Sequence, residues 1–118
     1  MDERIEKYLH DILIAIEEID VFNQQLSIFS FQEYKKNLLL KRAIERELEI
    51  IGESMNRIIK KDIGFVTLIE EAKSIIGLRN YIIHSYDSVS DENIWSIVVN
   101  HIPKLKEQVT KILQTNQE

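Results

Sequence analysis

The 118-residue sequence contains no cysteine, which excludes disulfide bonds, thiolate catalysis and cysteine-ligated zinc. It also lacks any apolar run near the roughly 18 residues that a membrane-spanning helix needs. The first ten residues are charged throughout and show no apolar core of a signal peptide. These absences together predict a cytoplasmic protein that does not enter a membrane.

Glycine and proline are scarce as well, with three glycines and one proline. Because these residues interrupt regular structure, their scarcity predicts long helices joined by few loops. The 15 Lys and Arg residues are outnumbered by 20 Asp and Glu residues, giving a net charge of −5. This balance argues against a broad basic surface that coats duplex DNA. The length suits one domain, which we expect to span residues 1–118.

Apolar side chains recur at steps of three and four, which is the spacing of amphipathic helices. The two clearest stripes are Ile5, Leu9, Ile12, Ile16 and Ile19, followed by Ile44, Leu48, Ile51, Met55 and Ile58. The pattern predicts four helices, over about Asp2–Gln24, Phe31–Lys60, Leu68–Tyr86, and from Asp91 to the C-terminus. Four such helices favour an all-α, up-and-down four-helix bundle, with the last helix kinked at Pro103 and restarted near Asn100.

Three hydroxyl residues stand where helix N-caps are expected. Ser30 with Glu33, and Thr67 with Glu70, have the spacing of capping boxes, and Ser90 precedes the fourth helix. These positions predict where the second, third and fourth helices begin.

Arg79 breaks the pattern of the third helix. At about 100° per residue it falls at the centre of an apolar face, whose members are Leu68, Ala72, Ile75, Ile76 and Ile83. Burying an unpaired guanidinium is very costly, so something must compensate its charge. One interpretation is a structural ion pair inside the bundle, with Glu45 as partner. The other is a cleft or subunit interface where Arg79 meets an anion. Gly52, near the second helix's stripe, is either a point of close helix approach or a tolerated defect.

Asn80 and His84 are four residues apart and therefore lie side by side at the edge of that face. Arg79 and His84 are about 140° apart on a straight helix, so one copy does not bring them together well. A two-fold axis near this helix would place two of each in one cleft. Arginine and histidine suit phosphodiester cleavage, because His moves a proton near neutral pH and Arg stabilises phosphate charge. Without Arg79, we would interpret His84 as a surface or interface histidine with no catalytic role.

The stretch from Arg79 to Tyr86 resembles the signature of the HEPN superfamily. That signature is Arg, a polar residue, His after four intervening residues, any residue and Tyr. More narrowly, the chain is similar to the HepT-like toxins, the ribonuclease half of HepT/MntA toxin–antitoxin pairs. The segments 41–53 and 95–105 extend the resemblance over nearly the full chain.

The resemblance implies an all-helical homodimer, or a higher assembly, that cuts RNA in a shared cleft without a metal or another cofactor. His84 would act in proton transfer, and Arg79 would hold the scissile phosphate during attack by the neighbouring 2′-hydroxyl. Asn80 would orient the His84 ring or bind phosphate. DNA, which lacks that hydroxyl, would be spared.

Tyr86 would be the residue to which an MntA-like nucleotidyltransferase antitoxin attaches AMP, and the added anion would block the cleft beside Arg79. Without the resemblance, Tyr86 would be an aromatic core residue with its hydroxyl at the rim. Arg57, Lys60 and Lys61 are either an RNA-holding spot or, in the simpler interpretation, a solvated helix end.

Two other functions stay open from the sequence. The first is a non-catalytic helical subunit that presents substrate to a nucleotidyltransferase, although such proteins often lack the full motif. The second is a structural dimer in which Arg79 forms only an interface ion pair. The chain has no His-x-x-x-His or Glu-x-x-His pair, so no metal site of that type is expected.

Overall fold

The computed structural model describes residues 1–85 and 88–117. Within these ranges the chain is all-helical and contains no strand. The helices are α1 (Glu3–Gln25), α2 (Phe31–Lys36), α3 (Leu38–Lys61), α4 (Phe65–Leu68), α5 (Ala72–His84), α6 (Asp91–Asn100) and α7 (Ile102–Gln117). The predicted fold class is therefore confirmed.

The long helix α3 is central to the packing, with α1 along one side and α5 along another. Helix α1 also contacts α7, and α7 contacts α6. Both apolar stripes that the sequence predicts are buried to at least 96% at every position. Burial of this continuous apolar seam, at about 25 cal/mol per Å², is the main force that holds the helices together.

The predicted second helix is wrong in one respect, because Asn37 divides it into α2 and α3. Asn37 adopts an extended backbone (φ −106°, ψ 93°). Its side-chain Oδ1 accepts a hydrogen bond from the Leu40 N–H at 2.9 Å and so caps α3. Asparagine side chains compete with the helical hydrogen-bond pattern in this way. The predicted cap at Ser30 is confirmed, since its Oγ accepts from the Glu33 N–H at 3.2 Å.

The predicted third helix begins in the wrong place. Thr67 lies inside the short α4, and α5 starts at Ala72 with no side-chain cap, so the capping box with Glu70 does not form. The chain between α4 and α5 turns extended at Ile69, which is fully buried. Tertiary packing of Ile69 thus overrides the local capping signal.

The last part of the chain agrees with the prediction. Ser90 Oγ accepts from the Asn93 N–H at 3.2 Å and caps α6. The helix breaks at His101 and restarts at Ile102, which puts Pro103 in the first turn of α7. The missing N–H of proline costs little there. None of the helices in the described ranges combines the length and the apolar character needed to cross a bilayer.

Candidate functional site

Gly52 brings α5 close to α3 at the position of Arg79. A Cβ added at Gly52 would overlap Arg79 Cβ and lie 2.9 Å from Arg79 Cγ and 3.1 Å from the Ile75 carbonyl oxygen. Only glycine allows this approach, so the interpretation of Gly52 as a point of close helix contact is confirmed. The aliphatic stem of Arg79 therefore lies directly against the α3 backbone.

The Arg79 guanidinium pairs with Glu53, the residue after that glycine. Arg79 Nη2 lies 2.7 Å from Glu53 Oε2, and Arg79 Nη1 donates to Asn80 Oδ1 at 3.2 Å. The side chains of Arg79 and Glu53 are 29% and 35% exposed, so the pair is open to solvent. It is therefore not an ion pair sealed inside the bundle.

Glu45, the partner that the sequence suggested, is the wrong residue. Its Oε2 instead accepts from Arg42 Nη1 at 2.8 Å. Burial raises the pKa of Glu45, and the Arg42 cation opposes that rise. Eight residues separate Glu45 from Glu53, which is roughly 12 Å along the helix axis, so only Glu53 stands level with Arg79.

A cleft of about 270 Å³ opens beside this ion pair. Three arginines and three acids contribute to its walls, namely Arg46, Arg57, Arg79, Asp11, Glu49 and Glu53. Arg57 Nε donates to Glu53 Oε1 at 3.0 Å, and Arg46 Nη1 donates to Glu49 Oε2 at 3.2 Å. The cleft thus holds several arginine donors of the kind that bind phosphate oxygens, each already paired with a carboxylate.

The other predicted site residues occupy different positions on or beyond α5. Asn80 and His84 are exposed, and His84 is the last residue of α5. Ile83 lines the cleft, whereas His84 is not among its lining residues. Within one copy the structure therefore brings Arg79 and Asn80 together and leaves His84 outside. Tyr86, the predicted site of modification, lies outside the described residues.

Three further residues shape this region, and sequence reasoning gave none of them a place in the site. Glu53 and Arg46 line the cleft, and Tyr81 ties α5 to the chain before α6, since its hydroxyl donates to the Ser88 carbonyl and accepts from the Ser90 N–H. The sequence did contain a signal for Glu53, because this residue directly follows Gly52, which was already considered as a point of close helix approach. Arg57 was considered for RNA binding and does line the cleft. Lys60 and Lys61 are exposed and do not line it.

No cluster of three or more potential metal ligands of the His, Cys, Asp and Glu types occurs in residues 1–85 and 88–117. Arg79 Nε is buried and has no hydrogen-bond partner within the same ranges. The cleft itself offers guanidinium groups and carboxylates, and His84 lies on the same helix as Arg79 but outside the cleft.

Comparison with known proteins identifies the family. The family model for HepT-like ribonucleases matches residues 12–112, so the chain belongs to the HepT-like ribonuclease family. It is 35% identical over 107 residues to a "putative RNase" of Caldanaerobacter subterraneus, covering 91% of this chain and 92% of that protein. It is 34% identical over 107 residues to a "probable ribonuclease HepT" of Thermococcus cleftensis, covering 89% and 92%. No solved structure gave a significant match.

Proposed function

We propose that the protein is a metal-independent endoribonuclease toxin. The observation that carries this proposal is Arg79, a guanidinium held at the wall of an open, arginine-lined cleft on the helix that also bears His84. Membership of the HepT-like ribonuclease family supports RNA as the substrate. Arginine supplies the planar pair of donors that phosphate oxygens accept, and histidine supplies a proton carrier near neutral pH.

In the proposed reaction the 2′-oxygen of the RNA attacks the adjacent phosphorus, and the bond from phosphorus to the 5′-oxygen breaks. The 2′-hydroxyl loses its proton and the departing 5′-oxygen gains one, with His84 taking part in this proton transfer. Arg79 stabilises the charge that develops on the non-bridging oxygens. The products are a 2′,3′-cyclic phosphate and a 5′-hydroxyl.

We place the reaction in a cleft shared by two copies of the chain, because His84 is not among the residues that line the cleft beside Arg79 in one copy. A two-fold axis beside α5 would bring the His84 of one copy to the cleft of the other. Ile83, which lines the cleft and is 39% exposed, is an apolar contact for such a dimer. Sedimentation should give a dimer, and Ile83→Lys should yield monomers that do not cleave RNA. A fully active monomer would contradict the shared cleft.

The central test uses protein free of AMP and an RNA oligonucleotide in the presence of EDTA. We expect cleavage with a 2′,3′-cyclic phosphate end, and no cleavage where a single 2′-deoxy substitution precedes the scissile bond. Cleavage of the 2′-deoxy position would overturn the proposed attack. RNA that is bound but left intact by wild-type protein would favour the non-catalytic helical subunit instead.

We also propose that a nucleotidyltransferase antitoxin neutralises the toxin by attaching AMP to Tyr86. An adenylyl group carries an anionic phosphate that can pair with Arg79 and occupy the cleft. After co-expression with such a transferase, mass spectrometry should find one or more AMP additions on the peptide that contains Tyr86. Tyr86→Phe should remain unmodified and active in its presence. Neutralisation of Tyr86→Phe would show that the partner acts by binding alone.

A further inference from the structure

The carboxylate of Glu53 is held at both of its oxygens by different arginines. Oε1 accepts from Arg57 Nε at 3.0 Å, and Oε2 lies 2.7 Å from Arg79 Nη2. Guanidinium groups present the same donors to carboxylates and to phosphates. A phosphodiester with two oxygens at these positions would meet the same two guanidinium groups.

Both arginines are held by contacts other than Glu53. The Arg57 guanidinium lies 5.8 Å from the centre of the Tyr8 ring, at cation–π distance. The stem of Arg79 packs against Gly52, and its Nη1 donates to Asn80. If the Glu53 carboxylate swings away, the two cations remain beside the cleft.

The Glu53 side chain is 35% exposed, so water can solvate its carboxylate when it leaves the arginines. Ion pairs in contact with water are weak, so a phosphate can compete for their cations. The cleft volume of about 270 Å³ is near the lower end of ligand sites, which begin at roughly 300 Å³. It suits a phosphate and part of a nucleotide better than a folded RNA element.

We propose that Glu53 occupies, in the RNA-free protein, the position of an RNA phosphate, and that Arg57 joins Arg79 as the second ligand of that phosphate. The proposal rests on the proposed ribonuclease function. It adds Arg57 as a second phosphate ligand and Glu53 as the group that competes with the phosphate. RNA must displace the carboxylate to enter. Glu53 therefore lowers the apparent affinity of the cleft for anions, because each anion must compete with its carboxylate.

The test measures binding apart from cleavage, with a fluorescent single-stranded oligonucleotide in which every sugar is 2′-deoxy. Glu53→Gln keeps the side-chain shape and removes the competing charge. We expect it to bind the oligonucleotide about three- to tenfold more tightly than wild type, because two weak ion pairs no longer compete. The matched control is Glu107→Gln, which changes the net charge equally at an exposed position of α7 that does not line the cleft. This control should change binding less than twofold.

Arg57→Gln supplies the second variant. It should weaken binding and reduce the slope of log affinity against log salt concentration by about 0.7, the effect of one lost phosphate contact on a single strand. Circular dichroism and thermal unfolding should show that all variants fold. Equal tightening in Glu53→Gln and Glu107→Gln would reduce the effect to net charge and overturn the proposal.

Weaker binding by Glu53→Gln would also overturn the proposal, because Glu53 would then serve to orient Arg79. The binding test of Glu53 can fail or succeed independently of the test for RNA cleavage. Active wild-type enzyme whose Glu53→Gln variant binds no more tightly refutes only the role of Glu53. Tighter binding by Glu53→Gln in a protein that cleaves no RNA supports the anion site and refutes the ribonuclease.

Discussion

Helix α3 bears glutamates on two of its sides, and their surroundings differ. Glu53 faces α5, where it is solvent-accessible and held between Arg57 and Arg79. Glu47 is 5% exposed, and its Oε2 has no hydrogen-bond partner within residues 1–85 and 88–117. Burial, together with the neighbouring Glu18 carboxylate of α1, raises the pKa of Glu47 to about 7.

Glutamate thus has two different surroundings on the two sides of α3. Towards α1, the buried Glu47 carboxyl lies beside the Glu18 carboxylate, and its protonated form is favoured. Towards α5, a carboxylate balances arginines in a cleft that a ligand can enter. We therefore expect changes to the carboxyl group towards α1 to alter the pH dependence of stability, and changes to the charged groups towards α5 to alter the binding of anions. Changes on the two sides should therefore affect different measurements.

The largest expected effect is the loss of cleavage in His84→Ala. Removing a group that transfers a proton typically lowers a rate by about 10²- to 10⁴-fold. His84 is exposed, so its removal should change the free energy of unfolding by less than about 0.5 kcal/mol. RNA cleavage with EDTA present and urea unfolding measure the two quantities. The matched control is His10→Ala, an exposed histidine on α1, which should cleave at the wild-type rate.

Cleavage that survives in His84→Ala would remove the proposed chemistry from the α5 side. A large loss of stability in His84→Ala would also contradict the comparison, because it would show that His84 helps to hold the end of α5 in place.

A smaller effect, on stability, is expected for Gly52→Ala. The added Cβ would meet Arg79 Cβ and the Ile75 carbonyl oxygen, so α5 must move away from α3. Overpacking of this kind costs about 1–3 kcal/mol. Gly77→Ala is the matched control, since a Cβ there meets no atom within 4 Å. It should stabilise the protein by about 0.5–1 kcal/mol, because alanine favours the helix.

Gly52→Ala should also lower oligonucleotide binding, because it displaces the Arg79 stem, whereas Gly77→Ala should not. If both variants were equally stable and bound equally well, the close contact would have no part in placing the guanidinium.

The α1 side can be probed by the pH dependence of stability. The folded protein holds the proton of Glu47 up to about pH 7, whereas the same carboxyl in the unfolded chain titrates near its model value of 4.5. The folded state therefore loses stability as the pH rises between these values. Glu47→Gln removes this loss and should stabilise the protein by about 1–2 kcal/mol at pH 8, with little change at pH 5. Urea unfolding at both pH values measures the difference.

Glu18→Gln offers an independent check on the same carboxyl. Removing the neighbouring charge should lower the pKa of Glu47 and weaken the pH dependence without abolishing it. A wild-type pH profile in Glu47→Gln would show that the buried carboxyl does not control stability in this range.

Much of the fold was predictable because apolar spacing alone determines which faces of α1, α3 and α6–α7 are buried. The two errors have different physical origins. Asn37 separates α2 from α3, and its side chain caps the start of α3 by a local hydrogen bond inside an otherwise helical stretch. The start of α5 depends on a distant contact, since Glu71 before it lies 2.9 Å from His101 Nδ1, 30 residues further on. Neither contact is encoded in the period of the apolar residues.

The candidate site, like the fold, was predictable only as far as the pattern within a single helix reaches. Helical periodicity placed Arg79 on the apolar face and indicated that its charge needs compensation. It did not identify Glu53, because the partner depends on how far α5 is shifted along α3. The contact at Gly52 determines that shift, and it involves two helices rather than one. The role of Tyr86 stays a prediction, since that residue lies outside the described ranges.

The smallest effect is expected for Asn80→Ala on the α5 side. Its Oδ1 accepts one hydrogen bond from Arg79 Nη1 at 3.2 Å, and both groups are reached by water. Losing such a contact costs about 0.5–1.5 kcal/mol, so oligonucleotide binding should weaken about two- to tenfold. Asn80→Asp keeps an acceptor for Nη1 but adds a charge that competes with phosphate, and it should bind more weakly than Asn80→Ala. Equal or tighter binding by Asn80→Asp would mean that anions do not approach Arg79 past Asn80. Within the part of the chain described, anions would then reach the guanidinium through the cleft opening beside Glu53.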